Sequence, residues 1–193
     1  MKSKTPTGFT IVELLIVIVV IGILAAITIT AYRGIQHRAY NAQVVAGVSQ
    51  YLKLIQSYRS LEGSYPQTTR EKEGHAIALA CLGKGYANSY CGKVSYVDTY
   101  EDPAFEADLL KVGKGSSIAN SELHPGPESF VGAVYGIDIT DPSKSPTGYA
   151  RTIQYALYGN DQDCKLSEAW SYRITNTPPI TACEIVLETV PAR

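Results

Sequence analysis

Two hydrophobic regimes follow one another in the first third of the chain. Residues 9–31, FTIVELLIVIVVIGILAAITITA, are apolar on every side and carry one charge, Glu13. As a helix rising 1.5 Å per residue, these 23 positions are long enough to cross a bilayer core of about 30 Å. Beyond them the pattern narrows to a stripe. Val44, Val48, Tyr51, Ile55 and Tyr58 recur at steps of four, three, four and three, flanked by Val45 and Leu52. Arg38, Gln43, Gln50, Lys53 and Arg59 occupy the other positions, so the spacing predicts an amphipathic helix. Gly63, followed by Ser64, Tyr65 and Pro66, ends it. Continuous from residue 9 to residue 61, such a helix holds 53 residues and spans roughly 80 Å.

Past residue 66 the signals shorten. The stretch to about Tyr100 reads as loop and contains Cys81 and Cys91 in a glycine-rich excursion, ACLGKGYANSYCG. Asp102 and Pro103 open a short helix to about Val112, as N-cap and first helical residue, and a polar loop follows over residues 113–128. Three strand-like runs finish the chain at 130–140, 149–158 and 180–189, the second and third with clear alternation, as in Thr152-Ile153-Gln154-Tyr155-Ala156-Leu157. An antiparallel sheet packed on the amphipathic helix is the economical arrangement, because each supplies the apolar face the other needs. The expected fold class is α+β, with four segments: 1–8, a basic leader; 9–31, an apolar helix; 32–62, an amphipathic helix; and 63–193, a head.

Charge adds a direction. The 193 residues have a net charge of −1, but residues 1–8 hold Lys2 and Lys4 with no acid, and residues 32–65 hold four basic residues against Glu62. Residues 66–193 carry eleven basic and sixteen acidic side chains, a net −5. A basic flank before an apolar span predicts an N-terminus inside and a head outside. An acidic head is a poor polyanion binder, so no direct nucleic-acid partner is expected. The four cysteines, Cys81, Cys91, Cys164 and Cys183, lie outside the apolar span without a CxxC, which fits disulfides in an oxidising compartment better than zinc. Three connectivities are open; the two short-range pairs, Cys81–Cys91 and Cys164–Cys183, are favoured because each closes one local excursion. A cleavable secretory signal is the rival reading of the N-terminus. Against it stand the length of the apolar run, the lack of an A-x-A site and Glu13, whose carboxylate costs about 2.5–3.5 kcal/mol at mid-bilayer and less near an interface.

A short basic leader ending in Gly8, then Phe9, Thr10 and Glu13 opening a long apolar run with Gly22 inside it, resembles the class III signal of type IV pilins and pseudopilins. GFTIVELLIVIVVIGILAA is a close match, covering about the first thirty residues. The resemblance implies cleavage between Gly8 and Phe9 by a prepilin peptidase and N-methylation of Phe9. The mature chain would keep 185 residues with a side-chain charge of 15 − 18 = −3. It further implies assembly through Phe9, Glu13 and Gly22, with Glu13 of an incoming subunit pairing with a neighbour's Phe9 amine; pairing within one chain is the alternative. Partners implied are sister pilins, the peptidase, a platform protein and assembly and retraction ATPases, with the precursor held in the membrane. The ending Gly63-Ser64-Tyr65-Pro66 and the Cys164–Cys183 loop also resemble family features. One departure is Thr30, where many members have a proline, so a softer and less sharply bent helix is expected.

Catalytic motifs are not apparent. GxSxG, HExxH and P-loop patterns do not occur, and His37, His75 and His124 fall in different regions. Asp161 and Asp163, in Asn160-Asp161-Gln162-Asp163, suggest oxygen ligands only faintly, and a polar turn is the better reading. No catalytic residue, metal or cofactor is expected. The function expected is a structural subunit of a type IV pilus supporting adhesion or surface motility. Its rivals are a pseudopilin of a type II secretion or DNA-uptake machine and a membrane-anchored binding module or enzyme.

Overall fold

The computed structural model describes residues 10–94, 97–115, 132–139, 147–166, 169–174 and 179–191, with backbone alone at 30, 31, 33, 87 and 169–174. The chain forms two compact units, Met1–Arg38 and Ala39–Arg193. Helix α1 runs Ile11–Glu62, 52 residues without a proline. It ends where the sequence places its stop: Gly63 has φ +74°, a left-handed value glycine adopts without strain, and its N–H closes the last turn on the Arg59 carbonyl at 2.9 Å.

In the second unit the elements after α1 are α2 (Thr69–Lys72), β1 (Ala78–Leu82), a 3-10 turn at Ala87–Ser89, β2 (Tyr90–Val94), β3 (Val97–Glu101), α3 (Pro103–Leu109), β4 (Ala133–Ile139), β5 (Tyr149–Tyr158), β6 (Ala169–Ile174) and β7 (Ile180–Thr189). The strands form a seven-stranded sheet in the order β2-β3-β1-β4-β5-β7-β6. An α+β chain with a long N-terminal helix is what the periodicity predicts, and β4, β5, β7 and α3 fall on the predicted runs. Asp102 caps α3, its Oδ1 accepting the Ala104 and Phe105 N–H groups at 3.0 and 3.1 Å.

The sheet is mixed rather than antiparallel, which corrects the expectation. β3 pairs with β1 in parallel, Ala80 opposite Tyr100 and Cys81 opposite Glu101. After β1 the chain turns through Gly83 and Gly85, both at positive φ, and the β2–β3 hairpin folds back so that β3 lies between β2 and β1. The stretch read as loop therefore holds three strands. β1 is buried at all five positions, so it shows no alternation. β2 has a glycine at its centre and a register shift between Tyr90 and Gly92. β6 is not among the predicted runs; among the described residues it is an edge strand that pairs with β7, a position where local propensity matters less than the neighbour that recruits it.

The stripe of α1 is the centre of the core. Val44, Val48, Tyr51, Ile55 and Tyr58 are buried against Phe105, Tyr135, Ile153, Tyr155, Leu157 and Ile185. Phe105 stacks on Tyr135 with ring centroids 4.7 Å apart. Burying each aliphatic side chain contributes about 1.5–3 kcal/mol. The opposite face of the sheet carries a second cluster that includes Leu79, Cys81, Cys91, Val94 and Val134. Gly136 is needed where β4 meets β1, since a Cβ there would lie 2.0 Å from the Ala78 carbonyl oxygen.

One buried ion pair ties the segment after α1 to the sheet. Arg151 on β5 makes a two-pronged contact with Glu71 of α2, Nη1 to Oε2 at 2.7 Å and Nη2 to Oε1 at 2.6 Å. Its Nε donates to Glu188 of β7 at 2.8 Å, and Tyr135 lies 3.3 Å from Nη1. Burial alone would lower the guanidinium's pKa, but the bonds to Glu71 and Glu188 outweigh it and raise the value overall. Breaking such a pair on one side is costly, because the remaining charge is left unsolvated.

Candidate assembly site on the N-terminal helix

Gly8 and Phe9, the expected processing residues, lie outside the described residues, as does His124. What is described begins at Thr10, and it forms a reciprocal cap with Glu13. The Thr10 N–H donates to Glu13 Oε2 at 2.8 Å, the Thr10 hydroxyl donates to the same oxygen at 2.7 Å, and the Glu13 N–H lies 3.3 Å from Thr10 Oγ1. This is a capping box: Thr10 precedes the first helical residue, Ile11, and Glu13 stands three positions on. The carboxylate also sits at the positive end of the helix dipole. Glu13 thus has an intramolecular partner one residue away from the one the sequence suggested.

From Ile11 to Ile29 every large apolar side chain is between 48% and 86% exposed. The helix is long and apolar enough, by length and composition, to cross a membrane. A Cβ added at Gly22 or at Gly34 would meet nothing within 4 Å, so among the described residues no contact requires glycine at either position. The Thr28 hydroxyl donates to the Leu24 carbonyl at 2.7 Å, a back-bond within the helix of the kind that softens it.

Cysteines pair as Cys81–Cys91 and Cys164–Cys183. The first joins β1 to β2, closing the excursion that carries the 3-10 turn; the second joins the turn after β5 to β7. Asp163 is exposed and bound to Lys165, whose ammonium and backbone N–H hold its carboxyl below the usual range. Asp161 stands at φ +52° in the turn that follows β5. Among the described residues no group of three or more His, Cys, Asp or Glu side chains is placed to hold a metal ion. His75 lies 3.4 Å from Glu73, and His37 sits on α1 far along the chain from it.

The contacts of Asn41 and Tyr40 on α1 are among those that periodicity does not assign. Asn41 bonds both backbone groups of Tyr158: Nδ2 donates to the carbonyl at 3.0 Å, and the Tyr158 N–H donates to Oδ1 at 2.8 Å. Beside it the Tyr40 hydroxyl accepts the Gly132 N–H at 3.0 Å, and the Tyr40 ring meets the Tyr158 ring edge-on at 4.9 Å. Asn41 follows the apolar span without belonging to its stripe, so periodicity assigns it no partner.

Comparison with known proteins bears on the N-terminus first. The model of the family described as "Prokaryotic N-terminal methylation motif" matches residues 4–29. The chain is similar to the "Type II secretion system core protein G" of Escherichia coli (strain K12), 26% identical over 127 residues, covering 65% of this chain and 84% of that protein. It is also similar to a "Fimbrial protein" of Pseudomonas aeruginosa, 29% identical over 137 residues, covering 56% of this chain and 88% of that one. Neither is named for an enzymatic activity. No solved structure matches the chain.

Proposed function

Proceeding from a chain whose motif and relatives support a place among the type IV pilins and pseudopilins, we propose that it is the structural subunit of a type IV pilus filament. The observation that carries this reading is the apolar surface of α1 from Ile11 to Ile29, exposed throughout, on a chain whose other unit has its own packed core. Lipid covers such a surface before assembly and sister helices cover it afterwards, so transfer between the two exposes little apolar area. A prepilin peptidase cuts between Gly8 and Phe9, leaves the helix attached and frees an amine that is then methylated. A platform protein and assembly and retraction ATPases move the subunit from the membrane into the fibre, where it supports adhesion or surface motility. The head faces the outside throughout.

The Thr10–Glu13 cap fits this cycle. It satisfies the carboxylate in the unassembled chain, which reduces the cost of holding an acid near a bilayer. A carboxylate has about four lone-pair sites, so it can keep both Thr10 bonds and accept the Phe9 amine of a neighbour as well. In the low dielectric of a helix bundle that second contact sets the register of the incoming subunit. A second reading, a pseudopilin forming a short secretion fibre, is favoured by the similarity to the secretion-system protein. The head of 131 residues (63–193) and its two disulfides favour the surface pilus.

The test is Glu13→Ala in the native host. Assembly is expected to fall to background while the cleaved, membrane-held subunit persists; normal filaments from this mutant would sink the pairing. Mass spectrometry of sheared filaments separates the two readings. A chain starting at methylated Phe9 as the main component marks the pilus, and a processed chain confined to membranes marks the pseudopilus.

A further inference from the structure

β5 is longer than the strand beside it. On one side it stays paired with β7 to its last residue, Tyr158 opposite Ile180. On the other, β4 begins at Ala133 opposite Tyr155, and the next rung is the Ala156 N–H on the Gly132 carbonyl at 3.1 Å. Tyr158, two residues further, turns the same edge outward, and its N–H and C=O meet the side chain of Asn41. A carboxamide carries one acceptor and a donor group on a planar frame, as a peptide unit does, so Asn41 extends the ladder by one rung from a helix. Asp lacks the donor and a leucine lacks both groups. Tyr40 holds the start of β4 through Gly132 at the same end of the sheet.

N-terminal to this point the helix carries a concentration of weak helix formers between residues 22 and 34. Gly22, the β-branched run Ile27-Thr28-Ile29-Thr30 and Gly34 all disfavour the helical state, and Thr28 spends its hydroxyl on a back-bond. C-terminal to it, Val44, Val48 and Tyr51 are locked in the core. We propose that Tyr40 and Asn41 are positioning residues, a clamp that fixes where the head takes hold of the helix, so that any loosening of the helix on leaving the membrane stops before residue 40. The role in assembly rests on the filament-subunit reading; the clamp itself is a property of the unassembled chain.

Hydrogen exchange read by mass spectrometry on the full mature chain in detergent micelles tests it, comparing wild type, Asn41→Ala, Asn41→Asp, Tyr40→Phe and the core control Val48→Ala. In Asn41→Ala, exchange of the amides of residues 42–47 is expected to rise about tenfold, with residues 51–58 and β7 unchanged. Asn41→Asp keeps the acceptor for the Tyr158 N–H but loses the donor to the Tyr158 carbonyl, so it should raise exchange in the same segment by no more than Asn41→Ala does. Tyr40→Phe, which keeps the ring and loses only the acceptor for Gly132, should give a smaller rise in the same segment. Val48→Ala should speed exchange across the whole head. The clamp is overturned if Asn41→Ala leaves residues 42–47 unchanged, or if its effect spreads over residues 51–58 as in Val48→Ala. Filaments are not needed for any of these readings, so a failure of the filament assignment would show in the fibre analysis and leave the exchange result standing.

Discussion

Residues 11–29 and residues 44–58 share one helix and differ in what surrounds them. The first stretch is apolar on all sides and exposed on all sides; the second is apolar on one stripe, and that stripe is buried. A helix that is hydrophobic all round needs an apolar environment supplied from outside the chain, whereas an amphipathic one is completed by its own sheet. The difference teaches that exposure here is a statement about the missing environment. Ile18, 58% exposed, and Ile55, 0% exposed, are the same residue type in the same secondary structure, yet only Ile55 of the two is packed into the chain's own core.

The strongest way to break the comparison is to remove what fastens the head. Arg151→Ala leaves Glu71 buried and unpaired, and is expected to destabilise the chain by about 3–5 kcal/mol in denaturant titrations on micelle-bound protein. A cost below about 1 kcal/mol would mean that Glu71 finds solvent, and that the pair does not fasten α2 to the sheet.

Next comes the matched pair of isoleucines. Ile55→Ala should cost about 2–5 kcal/mol through the cavity it leaves. Ile18→Ala should change stability by less than about 0.5 kcal/mol in the same titration, while lowering filament yield if the proposed function holds. Equal losses of stability from both would erase the distinction between the two stretches.

The smallest effect concerns pH and sharpens the buried side. Burial raises the Glu106 carboxyl pKa, offset in part by Lys84 and by the hydrogen bond from Tyr51, whose hydroxyl lies 3.2 Å from Oε1. A carboxyl whose folded pKa is raised stabilises the fold below its unfolded pKa, and that stabilisation is lost as pH rises through the folded value. Glu106→Gln should therefore gain stability at pH 7, by less than about 1 kcal/mol, and the gain should vanish near pH 4. A variant less stable than wild type at pH 7 would show that the Lys84 contact, at 3.7 Å, outweighs desolvation.

Much of the fold was legible because it is written in periods. The helix stripe, the Gly63 stop, the Asp102 cap and the alternation of β5 and β7 each follow from a local rule. The parallel insertion of β3 did not, since β1 is uniformly buried and β2 carries a glycine and a register shift, so neither shows a period of two. At the candidate site, Thr10 and Glu13 were legible as part of a motif, but their capping-box geometry belongs to the folded chain. Asn41 and Arg151 were invisible for a plainer reason: their partners, Tyr158 and Glu71, lie 117 and 80 positions away.

By itself the sequence determined that an all-apolar helix passes into an amphipathic one, where that helix ends, and that the head contains alternating strands and four cysteines outside the apolar span. Hydrophobic periodicity and turn residues act over a few positions, and each was present locally. The tertiary structure alone decided the strand order, the parallel β1–β3 pair, the Arg151–Glu71 contact and the seat of Asn41 on Tyr158. Those depend on which distant backbone groups and charges remain to be satisfied once the local elements have formed, and only the folded chain brings them together.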